Sequence, residues 1–293
     1  MAGALPLGSG EARMYRGLNP GAIGITLPFV DTVQLAAKHG LGGIDLSPAL
    51  LFEASSAERR AAKQALMETG LLAGGYALPV HFRGSGELFR RDLERLPEVA
   101  ATAAEFGCTR CVTCILPYHD ELTFPENFEL HRERLGECAR VLEANGARLG
   151  LEFVGTGTMR EGHPYDFIHD MKGVLELCKV IDAPHVGILL DSFHWHTSGG
   201  TVEQLEAQLS PEQIVYVQIS DAPADVPREE QRDDRRLLPG ATGVIDLAGF
   251  LDVLRAKGYD GPVTAAPSAE ELQALLPDDV LCRVAEALAR VGL

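Results

Sequence analysis

Positive charge is what this sequence has least of. Its 293 residues carry 26 Lys and Arg against 42 Asp and Glu, a formal net charge of −16. So acidic a chain lacks the basic surface that a phosphate backbone attracts, and its densest group of arginines, Arg232 to Arg236, encloses two aspartates. Nucleic acid is therefore not expected as a partner, nor is an anionic membrane surface. Long hydrophobic runs are missing too. Nothing approaches the roughly 20 apolar residues that a membrane helix needs, and the first thirty residues show no basic start followed by an apolar segment. The expected location is the cytoplasm. Cysteine is sparse, with six in the chain, and Cys108, Cys111 and Cys114 fall around one strand-like run without a second Cys or His pair at zinc-finger spacing. They read as free thiols in a reducing compartment. Tryptophan occurs once, as Trp195.

What the sequence does have is alternation. Residues 1–21, rich in Gly, Ala and Pro, show no periodicity and read as a flexible N-terminal leader; residues 22–293 form the folded domain. There, short apolar runs at 22–27, 43–46, 73–78, 111–115, 148–153, 186–190, 214–219 and 262–266 predict strands. Each is followed by a helical pattern, at 31–39, 57–69, 88–106, 126–145, 166–181, 202–209, 247–257 and 269–291. Asp31 is placed to cap the first helix and Gly40 to end it. The strands are mostly apolar, as strands covered on both faces are. Eight βα units in one chain predict a single α/β domain, a (β/α)8 TIM barrel. A doubly wound sheet would place a glycine-rich phosphate loop at its first turn, where this chain has Thr26-Leu27-Pro28-Phe29. Gly155-Thr156-Gly157 lacks the third glycine of such a loop.

In a TIM barrel the strands deliver the functional residues at their C-terminal ends. The fifth strand offers Glu152, the sixth Asp191 followed at i+3 by His194, and the seventh Gln218. Two acids and an amide at successive strand ends converge over the barrel mouth as oxygen donors suited to Mg²⁺ or Mn²⁺. The competing role for Asp191 is a salt bridge to one of the arginines in the following loop. His81, Trp195, His196 and Arg236 are further candidates for lining the mouth and touching substrate. Arg232, Arg235 and Arg236 lie in a long polar loop after the seventh strand, which has the length of a lid, and an arginine there can clamp a carboxylate or phosphate.

These residues resemble the sugar phosphate isomerase/epimerase superfamily of xylose-isomerase-like TIM barrels. The likeness rests on Glu152, on Asp191 with His194, on Gln218 with Asp221, on Leu238-Pro239-Gly240 and on Gly258-Tyr259-Asp260-Gly261-Pro262. The resemblance implies that Glu152, Asp191 and Gln218 hold a divalent cation, Mn or Mg, and that Glu152 also takes a proton from a carbon beside a carbonyl. His194 or water would return it. Two positions depart from the family pattern: Gln218 replaces a histidine, and the eighth-strand glutamate falls at Ala266, which deletes one expected ligand. The implied activity is isomerisation or epimerisation of a small polyhydroxylated ketone (a sugar, cyclitol or sugar acid) through an enediolate. The alternatives are a dehydratase of the dehydroshikimate-dehydratase type, toward which Gln218 tilts, and a metal-free barrel serving as a binding or partner subunit. A homodimer is the default assembly.

Overall fold

In the computed structural model the described residues are 14–183, 185–268, 272 and 274–293. Their main sheet contains only parallel neighbours and closes into the expected barrel. The first strand is Tyr15–Leu18, flanked in register by the second, Gly43–Ile44, and the eighth, Pro262–Ala265. The fourth to seventh strands are Arg110–Ile115, Arg148–Phe153, Val186–Asp191 and Ile214–Ile219.

The third strand is broken into two short pieces. Leu72–Ala73 pairs with the second strand and Tyr76–Ala77 with the fourth, so the two ends of the sheet are consecutive in the chain and the barrel closes through Gly74 and Gly75. A Cβ on Gly75 would lie 2.8 Å from the Tyr216 ring, and one on Gly74 would lie 2.8 Å from Asp45 Oδ1. The break follows from what fills the barrel there: the Tyr216 hydroxyl donates a 2.8 Å hydrogen bond to Asp45 Oδ2, and both residues are buried.

Helices cover the barrel's outer face. Phe29–Lys38, Ser56–Thr69, Gly86–Glu105, Phe124–Glu143, Met171–Val180, Val202–Gln208, Leu247–Ala256 and Pro277–Arg290 each follow a strand. Sequence chemistry sets several ends: Ser55 and Glu58 form a reciprocal capping box, and Gly70 closes the same helix at φ 73°.

Four expectations need correction. The first strand is Tyr15–Leu18 rather than 22–27, which is turn and coil, so part of the expected leader belongs to the barrel; residues 1–13 lie outside the described residues. Asp31 sits inside the first turn of its helix, whose N-cap is Pro28. The helix expected at 166–181 starts at Met171 behind an Asp170 cap, because Tyr165–Asp166 instead pairs antiparallel with Tyr118–His119 in a small separate ribbon. The last helix starts at Pro277; of its expected earlier part, residues 269–271 and 273 lie outside the described residues. All six cysteines are free thiols, with Cys108, Cys111 and Cys138 buried. No described helix is long and apolar enough to cross a membrane.

Candidate active site

Glu152 and Asp191 arrive at the barrel mouth on neighbouring strands, and the chain immediately after Asp191 fixes a third group. Asp191 is wholly buried and caps the six-residue helix Ser192–Thr197: its Oδ1 accepts from the backbone N–H of Phe193 at 2.7 Å and of His194 at 3.0 Å. That cap sets His194 over the mouth. Gly155 allows the close approach, since a Cβ there would lie 2.1 Å from the His194 carbonyl oxygen.

The long loop after the seventh strand supplies the remaining charges. Asp221 ties the loop's two ends together: its carboxylate accepts from the backbone N–H of Ala222, Thr242, Gly243 and Ile245, and its backbone bridges Leu237. Burial would raise the Asp221 pKa, but these four donors outweigh it and hold the carboxyl below its usual value. Gln231 braces the loop internally by donating to the carbonyls of Pro223 and Val226. The loop is thereby folded down over the mouth, with Asp233 and Arg236 inserted.

Arg236 is the centre of the cluster. Its Nη1 donates to Asp191 Oδ2 at 2.9 Å; its Nη2 donates to His194 Nε2 at 2.6 Å and to Asp233 Oδ1 at 2.6 Å; its Nε reaches the same Asp233 oxygen at 3.0 Å. The guanidinium also lies 5.1 Å from the Phe193 ring centroid. Arg236 thus makes the salt bridge that competed with metal binding as the role of Asp191.

These bonds assign the state of His194. A guanidinium only donates, so Nε2 must be the acceptor and the ring neutral, with its proton on Nδ1 facing Thr156 Oγ1 at 3.4 Å. Burial, with Arg236 beside it, holds the His194 pKa well below the ordinary histidine value. Returning a proton to substrate, the role implied for His194, does not fit a ring whose lone pair is already used. His194 Nε2 instead accepts from Arg236 Nη2.

Glu152 has no such partner among the described residues. Its Oε1 is 3.8 Å from His194 Nε2, and its side chain keeps 14% exposure. Burial, then the neighbouring Asp191 carboxylate, raise its pKa to about 8 against the pull of Arg236. Burial also raises Asp191, with Arg236 opposing. A carboxyl that exchanges a proton near neutral pH beside a fixed cation is suited to general acid/base work.

Would these residues hold a divalent cation? Position 266 offers a methyl group, Asp191 Oδ1 is taken by two backbone donors, and Asp191 Oδ2 and His194 Nε2 are taken by Arg236. Among the described residues no group of three or more His, Cys, Asp or Glu is arranged to bind a metal. The donors as placed do not fit a divalent ion. Gln218 lies level with Asp191 in the strand register and has no hydrogen-bond partner among the described residues, which leaves its amide for a ligand.

The other expected substrate contacts divide. Trp195 turns away from the mouth: it is buried and packs on Phe250 of the outer helix Leu247–Ala256, ring centroids 5.3 Å apart. His196 is half-buried beside Arg228 and Asp221. His81 is 71% exposed, bonded through Nδ1 to Asp92 at 2.6 Å. It lines a cleft of about 850 Å³ over the ends of the second to fourth strands, together with Arg83, Arg91 and Thr113. A smaller cavity of about 410 Å³ lies beneath the long loop, beside Gln231 and Arg236. Neither is lined by Glu152. Sequence reasoning missed Asp233, which only the course of the long loop brings here, and Thr156, which follows the fifth strand directly.

Residues 33–283 match the xylose isomerase-like TIM barrel family. Among curated proteins, an inosose isomerase of Bacillus subtilis strain 168 is 32% identical over 130 residues, 44% of this chain and 43% of that protein. A 3-dehydroshikimate dehydratase of Pseudomonas aeruginosa is 31% identical over 181 residues, 61% of this chain and 26% of that protein. The chain thus spans less than half the length of these relatives. Among solved structures, a xylose isomerase domain protein of Alicyclobacillus acidocaldarius superposes with a TM-score of 0.84 at 31% identity, covering 95% of this chain and 98% of that one. A structure of the IOLI protein with a bound zinc atom superposes with a TM-score of 0.79 at 21% identity, covering 95% and 98%, and shares the fold.

Proposed function

Because the chain belongs to the xylose isomerase-like TIM barrels, we propose that it is an isomerase of a small polyhydroxylated ketone, a cyclitol such as inosose before an open-chain sugar. The observation that carries this reading is Glu152, a carboxyl without a bonded partner, set at a strand end beside the Arg236 guanidinium. Glu152 removes a proton from the carbon next to the substrate carbonyl. The enediolate that forms places negative charge on oxygen, which a positive, hydrogen-bond-donating neighbour stabilises. Since His194 Nε2 is committed to Arg236, Glu152 both takes and returns the proton, on one face of the substrate. Transfer on one face between adjacent carbons is isomerisation; inversion at a carbon would need a second acid/base group on the other face. This favours an isomerase over an epimerase.

The cleft beside His81 and Arg83 supplies room for a ring of this size one strand away from Glu152, since Cys114 pairs with Glu152 in the sheet register. The cytoplasm remains the expected location, and a homodimer the expected assembly. Gln218, present where the family pattern has histidine, supports a second reading in which Glu152 protonates a departing β-hydroxyl instead. Incubation with inosose and related ketones, followed by NMR and ultraviolet absorbance, separates the two. An isomeric ketone supports the first reading, and a conjugated enone formed with loss of water supports the second. No change in any ketone, or wild-type turnover by Glu152→Gln, overturns both.

A further inference from the structure

We propose that Arg236 is the built-in cation of this site: its guanidinium, held by Asp191, His194 and Asp233, occupies the place at the strand ends that a divalent ion would need, and supplies the positive charge there itself. Three independent observations meet at this residue. Asp191 and His194, which a metal at these strand ends would draw on, are both bonded to the guanidinium, at 2.9 and 2.6 Å. A metal on Asp191 Oδ2 would sit about 2.0 to 2.6 Å from that oxygen, inside the space of Nη1, and would meet a like charge. The acid expected on the eighth strand is Ala266, so the site has lost a negative charge that a second cation would require.

The third observation is how the cation is delivered. Arg236 and Asp233 come from one loop whose ends are fastened by Asp221, and Asp233 holds Nε and Nη2 together through a single oxygen, which orients the plane of the guanidinium. Arg236 is 8% exposed. Its contacts use four of five N–H groups; the fifth, on Nη1, has no partner among the described residues and is left to donate to a substrate oxygen. A fixed donor of this kind can stabilise a developing oxyanion in a dry site. This last consequence rests on the isomerase reading; the exclusion of metal does not.

The test is metal binding, which needs no substrate and so fails or succeeds separately from the proposed activity. Wild type, Ala266→Glu, Arg236→Ala and the double variant are stripped with chelator, dialysed against Mn²⁺ and, separately, Zn²⁺, and analysed for bound metal, with thermal melts to confirm folding. Wild type and Ala266→Glu are expected to stay empty, and the double variant to take up about one ion per chain. Where alanine prevents folding, Arg236→Met replaces it, since its apolar stem still covers Phe193 and it leaves Asp191 Oδ2 free. A wild type that retains one ion per chain overturns the proposal. So does Ala266→Glu alone binding as tightly as the double variant, because Arg236 would then not be the obstacle.

Discussion

Replacing Arg236 by methionine keeps an apolar stem over Phe193 and removes the only cation bonded to Asp191 among the described residues. Asp191 is 0% exposed, so water cannot take over. Breaking a buried ion pair by removing one partner costs about 3–5 kcal/mol, against about 0–1 kcal/mol for a pair on the surface. The larger range applies because the Asp191 side chain is at 0% and that of Arg236 at 10% exposure. The double variant with Asp191→Asn is expected to recover most of the loss. An asparagine oxygen still accepts from the Phe193 and His194 N–H groups, while the uncompensated charge is gone. The deficit of the single variant also depends on pH. Burial holds the folded Asp191 carboxyl above its unfolded value and Arg236 pulls it down, so without Arg236 it rises further. A raised carboxyl binds its proton more tightly in the folded state, so stability is retained below the unfolded pKa and lost as pH rises through the folded one. The variant should therefore lie close to wild type near pH 4 and fall away above it. Urea unfolding of the four proteins of this cycle, at pH 4 and 7.5, measures all of this. A loss under about 1 kcal/mol that Asp191→Asn does not relieve would refute a buried pair.

Three further outcomes follow from other residues. Burial raises the Asp45 carboxyl to about 7, opposed by the bonds from Tyr216 and the Gly75 backbone, so wild-type stability should decline between pH 4 and 7. The scale is about 4 kcal/mol at most, from about three pKa units, and Asp45→Asn, which still accepts from Tyr216, should flatten that decline in urea melts. Asp221→Ala strips the acceptor from four backbone N–H groups and should expose the 222–245 loop to limited proteolysis; a loop as resistant as in wild type would contradict its role as a clasp. Trp195, the sole indole, should be shielded from iodide quenching and should not change emission when a ketone binds, whereas quenching by substrate would return it to the mouth.

How much of this was readable in the sequence depended on whether a signal was local. Glu152 and Asp191 stood out because an acid that ends an apolar strand has few structural uses, and both lie at the barrel mouth. The first strand was misplaced because Tyr15-Arg16-Gly17-Leu18 contains one strongly apolar aliphatic residue; pairing with the second and eighth strands makes it a strand. The split third strand was hidden likewise, since Gly74 and Gly75 answer to Tyr216 and Asp45, both distant in sequence. Arg236 was one of three candidate arginines in its loop, and only the clasp at Asp221 decides which of them meets Asp191. Trp195 misled because the residue after His194 in a short helix faces the neighbouring helix.

The central claim, that Glu152 moves a proton on carbon with Arg236 as its fixed positive neighbour, is tested most directly by solvent exchange. Chelator-treated wild type and Glu152→Gln would be incubated with inosose in D2O and followed by NMR. The account predicts deuterium entering at a carbon next to the carbonyl with wild type, undiminished by chelator, and none with Glu152→Gln. Exchange that stops with chelator and returns with Mn²⁺, or that survives in Glu152→Gln, would contradict it.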